Sequence, residues 1–181
     1  MGEYMKSIGP FQLEKILLCS ADASPNSQRK NACEAAYFFP KAKWVGAIRN
    51  VSNQLGCDFV ILTTGHGLVN PNDIIAPFDL HIEQDVEAVR QKWKKTISEL
   101  LRSTEYEVMV FYSGGCPRDR YIELLKPILH ALGISLITFG KPNMYDVGKT
   151  TDIVELLNRG TVFPEIASIL KLPERLEYYP A

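Results

Sequence analysis

Four short apolar segments along the chain have the length and composition of buried β-strands. Each is a nearly continuous apolar run rather than an alternation of apolar and polar residues, which is typical of strands covered on both faces in a parallel sheet. The segments are residues 16–19, 59–62, 108–111 and 136–139.

Helical patterns separate these segments. Apolar residues at spacings of three and four predict a helix over residues 84–103 and another from Pro117 to Gly133. Residues 32–55 are expected to be largely helical with a break near Pro40, and residues 152–157 to form a shorter helix. The alternation predicts an α/β fold of three αβα layers, Rossmann-like, around a short, mainly parallel four-stranded sheet.

The full length, residues 1–181, is predicted to be a single α/β domain, because it contains no repeat, low-complexity tract or linker. Residues 1–12 and 173–181 are expected to be surface arms. The second arm carries apolar side chains that could pack on the body or on a partner subunit, which leaves a homo-oligomer possible: Leu176, Tyr178 and Tyr179.

Composition narrows the classes of function. Hydrophobic residues make up 46% and charged residues 23%, and the formal net charge is -1. This balance argues against an extended grip on nucleic acid, although it leaves recognition of one base or nucleotide open. Neither a run of about 20 apolar residues nor a signal-peptide pattern occurs, so no membrane contact is expected. The four cysteines form no CxxC pair, so we expect a reduced, cytoplasmic protein with no metal and no cofactor.

Polar residues follow every predicted strand, at the edge of a parallel sheet where ligands usually bind. Ser20 and Asp22 begin a long polar loop after the first strand, which could close over a ligand or simply connect surface elements. The loop after the third strand contains Ser113, Gly114 and Gly115 directly before a helix, an order that presents backbone N–H groups to an anion. Asn143 follows the fourth strand and could also contact a ligand.

The loop after the second strand is the most informative stretch. His66 lies between Gly65 and Gly67, and Thr64 precedes them. Glycines allow a close backbone approach, and a histidine there could act as a general acid or base, or could hydrogen-bond to its own loop. Downstream, two carboxylates could contact a ligand or stabilise turns: Asp73 and Asp79.

This same segment, residues 59–80, resembles the strand–loop signature of the DUF6884 group. In that group a Ser-Ala-Lys-(Tyr/His)-Gly-Leu segment follows the strand, and a Pro-Asp turn and Pro-Tyr-Asp come next. The positions that carry the resemblance are His66, Gly67, Leu68, Pro71, Asp73, Pro77 and Asp79. The YaaA peroxide-stress group and the domain attached to archaeosine synthases are similar. The resemblance implies a uracil-DNA-glycosylase-like fold and a link to nucleic-acid modification, in part to 7-deazaguanine. Two lysines of the pattern are replaced, by Gly65 and Ala21.

Three functional hypotheses follow. The first is a domain that recognises a nucleobase or nucleotide, with glycosylase- or transglycosylase-like activity. There His66 and Asp79 would orient or protonate a base, and the amides of residues 113–115 would hold a phosphate or carbonyl. The alternative is a non-catalytic accessory or oligomerising module that binds a protein or RNA partner. The third is a hydrolase with Cys116 as nucleophile, since a thiol beside a helix start can be reactive.

Overall fold

A computed structural model describes residues 8–114, 117–140, 147–160 and 176–181. Its strands are β1 (Ile16–Ala21), β2 (Cys33–Glu34), β3 (Asp58–Thr63), β4 (Gly67–Val69), β5 (Ile74–Ile75), β6 (Val108–Tyr112), β7 (Ser135–Phe139) and β8 (Glu177–Tyr179). Its α-helices are α1 (Lys43–Leu55), α2 (Val86–Leu101), α3 (Arg118–Ala131) and α4 (Thr150–Arg159). The chain is therefore α/β, as its sequence predicts.

The main sheet has six strands in the order β4-β3-β1-β6-β7-β8. The four predicted strands are β1, β3, β6 and β7, and they lie side by side and parallel. The prediction of a short four-stranded, mainly parallel sheet was wrong, because β4 and β8 add antiparallel edges and make the sheet mixed. Both edge strands have only three residues, too few for a recognisable apolar pattern.

The helices predicted from residues 84, 117 and 152 onward are present as α2, α3 and α4. The prediction for residues 32–55 was wrong in its first half. There the backbone N–H groups of Ala35 and Ala36 donate to carbonyls of Asp73 and Pro71, and β2 pairs with β5. These long-range bonds hold the segment in extended and turn conformations, so α1 begins only at Lys43.

Two apolar cores lie on opposite faces of the sheet. Side chains of α1 and α4 belong to one core, and side chains of α2 and α3 belong to the other. From β1 the chain crosses to β3 through α1, and it later returns past β1 to β6 through α2. Right-handed crossovers in opposite directions place their helices on opposite faces. The strand order therefore reverses at β1, which creates a crevice at the carboxyl ends of β1, β3 and β6.

The described parts of both expected arms are packed on the body. Ile8 is buried, and the N–H of Phe11 donates to the carbonyl of Leu157 at 3.1 Å. At the other end Leu176 is buried and β8 extends the sheet beside β7, with an ion pair from Arg118 to Glu177 at 3.2 Å. Residues 1–7 and 173–175 lie outside the described residues. Among the described helices, none is long and apolar enough to cross a bilayer.

Candidate functional site

A cavity of about 410 Å³ opens at the carboxyl ends of β1 and β3. The loop after β1, the start of α1, the loop before α2 and the start of α3 all contribute to its walls. The lining residues are Asp22, Ala23, Ser24, Pro25, Ser27, Lys41, Trp44, Thr64, His81, Ile82, Glu83, Pro117 and Tyr121. Its size and mixed polar and apolar walls are those of a small-molecule site at a reversal of strand order.

Asp22 is the central polar group of this cavity. It follows β1 directly, and its N–H still pairs with the carbonyl of Leu62 at 3.1 Å, so the sheet fixes its backbone. The residue lines the cavity and is only 1% exposed. Burial of a carboxylate is costly, so each of its oxygens needs a hydrogen-bond donor.

Two donors hold the carboxylate of Asp22. The hydroxyl of Tyr121, in the first turn of α3, donates to Oδ1 at 2.6 Å, and the N–H of Thr64 donates to Oδ2 at 3.0 Å. Burial raises the pKa of Asp22 to about 7, and these two hydrogen bonds lower it in part. Near neutral pH the group can therefore accept or donate a proton, a property common in groups that bind or react with ligands.

Thr64 is held from both sides. It follows β3, and its hydroxyl donates to the carbonyl of Leu80 at 2.7 Å, which attaches the loop before α2 to the sheet edge. Trp93 of α2 reinforces this end of β3, since its indole N–H donates to the carbonyl of Thr63 at 2.9 Å. The donor to Asp22 is therefore positioned by the core and not by a free loop.

Two of the cavity's loops are joined by one side chain. The amide of Gln28 donates to the carbonyl of Phe78 at 2.6 Å and accepts from its N–H at 3.2 Å. The side-chain amide of Gln28 therefore makes the two hydrogen bonds, to the N–H and to the carbonyl of one residue, that a neighbouring strand would make with its backbone. It connects the loop that carries Asp22 to the loop that carries His81 and Glu83.

His66 and Asp79, the predicted catalytic residues, are engaged outside the cavity. Nε2 of His66 lies 2.7 Å from the carbonyl oxygen of Ala76, and its ring meets Phe78 edge to face. The carboxylate of Asp79 is 95% exposed and lies 3.3 Å from Nε2 of His81. The side chain of His66 therefore joins two parts of its own loop, and the side chain of Asp79 lies in solvent.

Three further residues that were predicted to contact a ligand are instead part of the packing of this loop. A side chain at Gly65 would place Cβ 2.2 Å from Phe78, and one at Gly67 would place it 2.0 Å from the hydroxyl of Thr96. Gly67 also has φ +71°, which favours glycine. Asp73 caps a turn, since its carboxylate accepts from the N–H of Asn70 at 2.9 Å. In the structure these residues form and pack the loop.

Ser20 and Ser113 are buried beneath the sheet edge. Ser20 faces the α1 side of β1, and its hydroxyl has no hydrogen-bond partner among the described residues. The N–H of Ser113 donates to the carbonyl of Phe139 at 3.0 Å, so this amide is already used and is not free for an anion. Gly114 packs on Trp44. Two remaining candidates, Gly115 and Asn143, and the possible nucleophile Cys116 lie outside the described residues.

Of the predicted site residues, Asp22 and Thr64 are brought together in the cavity, about 40 positions apart in sequence. Sequence reasoning missed Trp44, Tyr121 and His81, because the first two fit helical apolar patterns and the third stands alone. Tyr121 did carry one signal: a hydroxyl-bearing aromatic residue at the start of the helix that follows a glycine loop.

Comparison with known proteins gives a family for the chain. No curated protein matches the sequence, and no solved structure matches it. The profile of a family described as "Family of unknown function (DUF6884)" matches residues 18–139. That span runs from β1 to the end of β7 and includes Asp22, Thr64 and Tyr121. The chain belongs to the DUF6884 family.

Proposed function

We propose that this protein recognises a nucleobase or nucleotide in the cavity above Asp22. The observation that carries the proposal is the buried carboxyl group of Asp22, at the point where strand order reverses, with a pKa near neutrality. A carboxylate held this way is a strong acceptor for ring and amino N–H groups, which are characteristic of bases.

The other walls of the cavity support the same ligand class. The volume of about 410 Å³ suits a base or nucleoside rather than a folded polymer. Lys41 is exposed at the rim, where an ammonium group could contact a phosphate that stays in solvent. The net charge of -1 agrees with recognition of a single unit rather than a long strand.

The process that we propose is nucleic-acid modification, with glycosylase- or transglycosylase-like chemistry at the bound base. Two considerations support it. The resemblance of residues 59–80 to the DUF6884 strand–loop signature implies a uracil-DNA-glycosylase-like fold, and the carboxyl group of Asp22 can exchange a proton near pH 7. We assign the acid–base role to Asp22 in place of His66, because Asp22 lines the cavity whereas Nε2 of His66 lies against Ala76.

A melting screen of the purified protein tests this proposal. Nucleosides, nucleotides and 7-deazaguanine bases are added singly, and the melting temperature is compared for the wild type, Asp22→Asn and His66→Ala. We expect a rise with at least one ligand, which Asp22→Asn loses and His66→Ala keeps. The proposal is refuted if none of the compounds raises the melting temperature of the wild type. The assignment to Asp22 fails if the rise is lost in His66→Ala alone.

A further inference from the structure

Trp44 differs from the other tryptophan of the chain in its surroundings. Trp93 is fully buried in the core between α2 and the sheet, whereas Trp44 is half-buried and lines the cavity. An indole at a cavity wall is available to a ligand, whereas one in a core is not.

The indole of Trp44 is fixed in position at its edge. Its N–H donates to the carbonyl of Ala21 at 2.9 Å, and Ala21 directly precedes Asp22. One end of the ring is therefore tied to the strand that carries the buried carboxyl group. This fixed arrangement lowers the entropy cost of stacking a ligand against the ring.

Gly114 covers one side of the same ring. A Cβ atom added at Gly114 would lie 3.0 Å from Cε2, 3.2 Å from Nε1 and 3.3 Å from Cδ2 of Trp44. A point nearly equidistant from these three joined atoms lies over the ring face and not beside its edge. The backbone at Gly114 therefore supports one face of the indole, and the remaining surface of the ring is what the cavity can use.

We propose that the ligand carries a planar aromatic ring that stacks on the indole of Trp44. This inference rests on the proposed function and names the side chain that holds the ring of the base. The aromatic platform and the carboxylate belong to one cavity and are tied together through Ala21. Stacking on a fixed aromatic ring is tolerant of sequence and suits any flat heterocycle.

Calorimetric titrations with guanosine, inosine and uridine supply the probes for this inference. All three carry a planar ring that can stack on Trp44, and the purines offer the larger ring face. We expect guanosine to bind the wild type at least as tightly as uridine, and tighter binding of uridine would contradict a contact made through the ring face.

Two variants at Trp44 test the stack itself. Trp44→Phe keeps a ring and should retain binding, whereas Trp44→Leu should bind roughly tenfold more weakly, because stacking of a base is worth about 1–3 kcal/mol. Guanosine should change the tryptophan fluorescence of the wild type but not of Trp44→Phe, whose only tryptophan is then the buried Trp93. The fluorescence test on Trp44→Phe stands even where Trp44→Leu folds poorly.

The outcomes separate this inference from the proposed function. If a nucleoside binds the wild type with no change in fluorescence, and Trp44→Leu binds it equally well, the stacking inference is overturned and nucleobase recognition stands. If none of the nucleosides binds the wild type, the proposed function and this inference fall together.

Discussion

Replacing Asp22 with asparagine should change how the stability of the protein depends on pH. In the folded chain, burial raises the pKa of Asp22 from the ordinary value of 3.8 to about 7. Between these two values the folded chain holds one proton more than the unfolded chain, so the free energy of unfolding falls as pH rises. Above about pH 7 both states are ionised and this contribution is constant.

The size of the effect follows from the same two values. One pKa unit corresponds to about 1.4 kcal/mol, so ionisation of Asp22 costs the folded chain about 4 kcal/mol in total, spread over the interval between pH 4 and pH 7. Asparagine does not titrate there. The free energy of unfolding of Asp22→Asn minus that of the wild type should therefore rise with pH by up to about 4 kcal/mol.

Urea denaturation at several values between about pH 4 and pH 8 measures this difference. The slope against pH is the quantity of interest. The packing and hydrogen bonds of asparagine itself do not depend on pH, so they shift the whole curve and leave its slope unchanged. Asp79→Asn is the matched control, since it makes the same substitution at a carboxylate that is 95% exposed. Parallel curves for the wild type and Asp22→Asn would refute the reasoning.

Three further predictions concern the surroundings of the site. Tyr121→Phe removes a hydrogen bond that lowers the pKa of Asp22, so the pKa should rise and the pH-dependent loss of stability should extend to higher pH in the same denaturation series. Gly67→Ala should lower the free energy of unfolding by about 1–3 kcal/mol, since Cβ would lie 2.0 Å from the hydroxyl of Thr96. Thr96→Ala in the same chain should restore part of that loss, and an unchanged loss would contradict the packing argument. Deletion of residues 176–181 removes β8 and should lower the denaturation midpoint. A midpoint equal to that of the full chain would contradict this expectation. If the midpoint is equal and light scattering shows a change in particle size, β8 serves association rather than the fold.

The central strands could be predicted because each is buried on both faces, and burial leaves an unbroken apolar run. The edge strands β4 and β8 could not be predicted from the sequence. Strands of three residues owe their conformation to a neighbour that is distant in the sequence or to a preceding turn. Residues 33–37 illustrate the same limit. Their alanines favour a helix, but backbone bonds to Asp73 and Pro71 hold them in another conformation.

The site shows a similar division. That polar residues after the strands would meet at one edge was predictable, and Asp22 and Thr64 do meet there. The sequence could not show which of these polar residues is buried in the cavity, because the burial of a side chain depends on neighbours that are distant in the sequence. His66 was the more conspicuous residue, between two glycines, but those glycines make room for Phe78 and Thr96. Trp44 resembles a core residue in its helical spacing, and only the fold shows its ring at the cavity wall.

The side-chain amide of Gln28 has a consequence for ligand exchange. It joins two backbone segments that are 50 positions apart, through both polar groups of Phe78. The two loops should consequently move as one body, so a gap between them opens only if both bonds break together. We expect ligands to enter over the open rim beside Lys41 and Glu83, where two opposite charges meet the solvent. The association rate of a charged ligand should then depend on ionic strength and on these two side chains. Gln28→Ala should open a second path for the ligand, between the two loops, whose rate does not depend on charge.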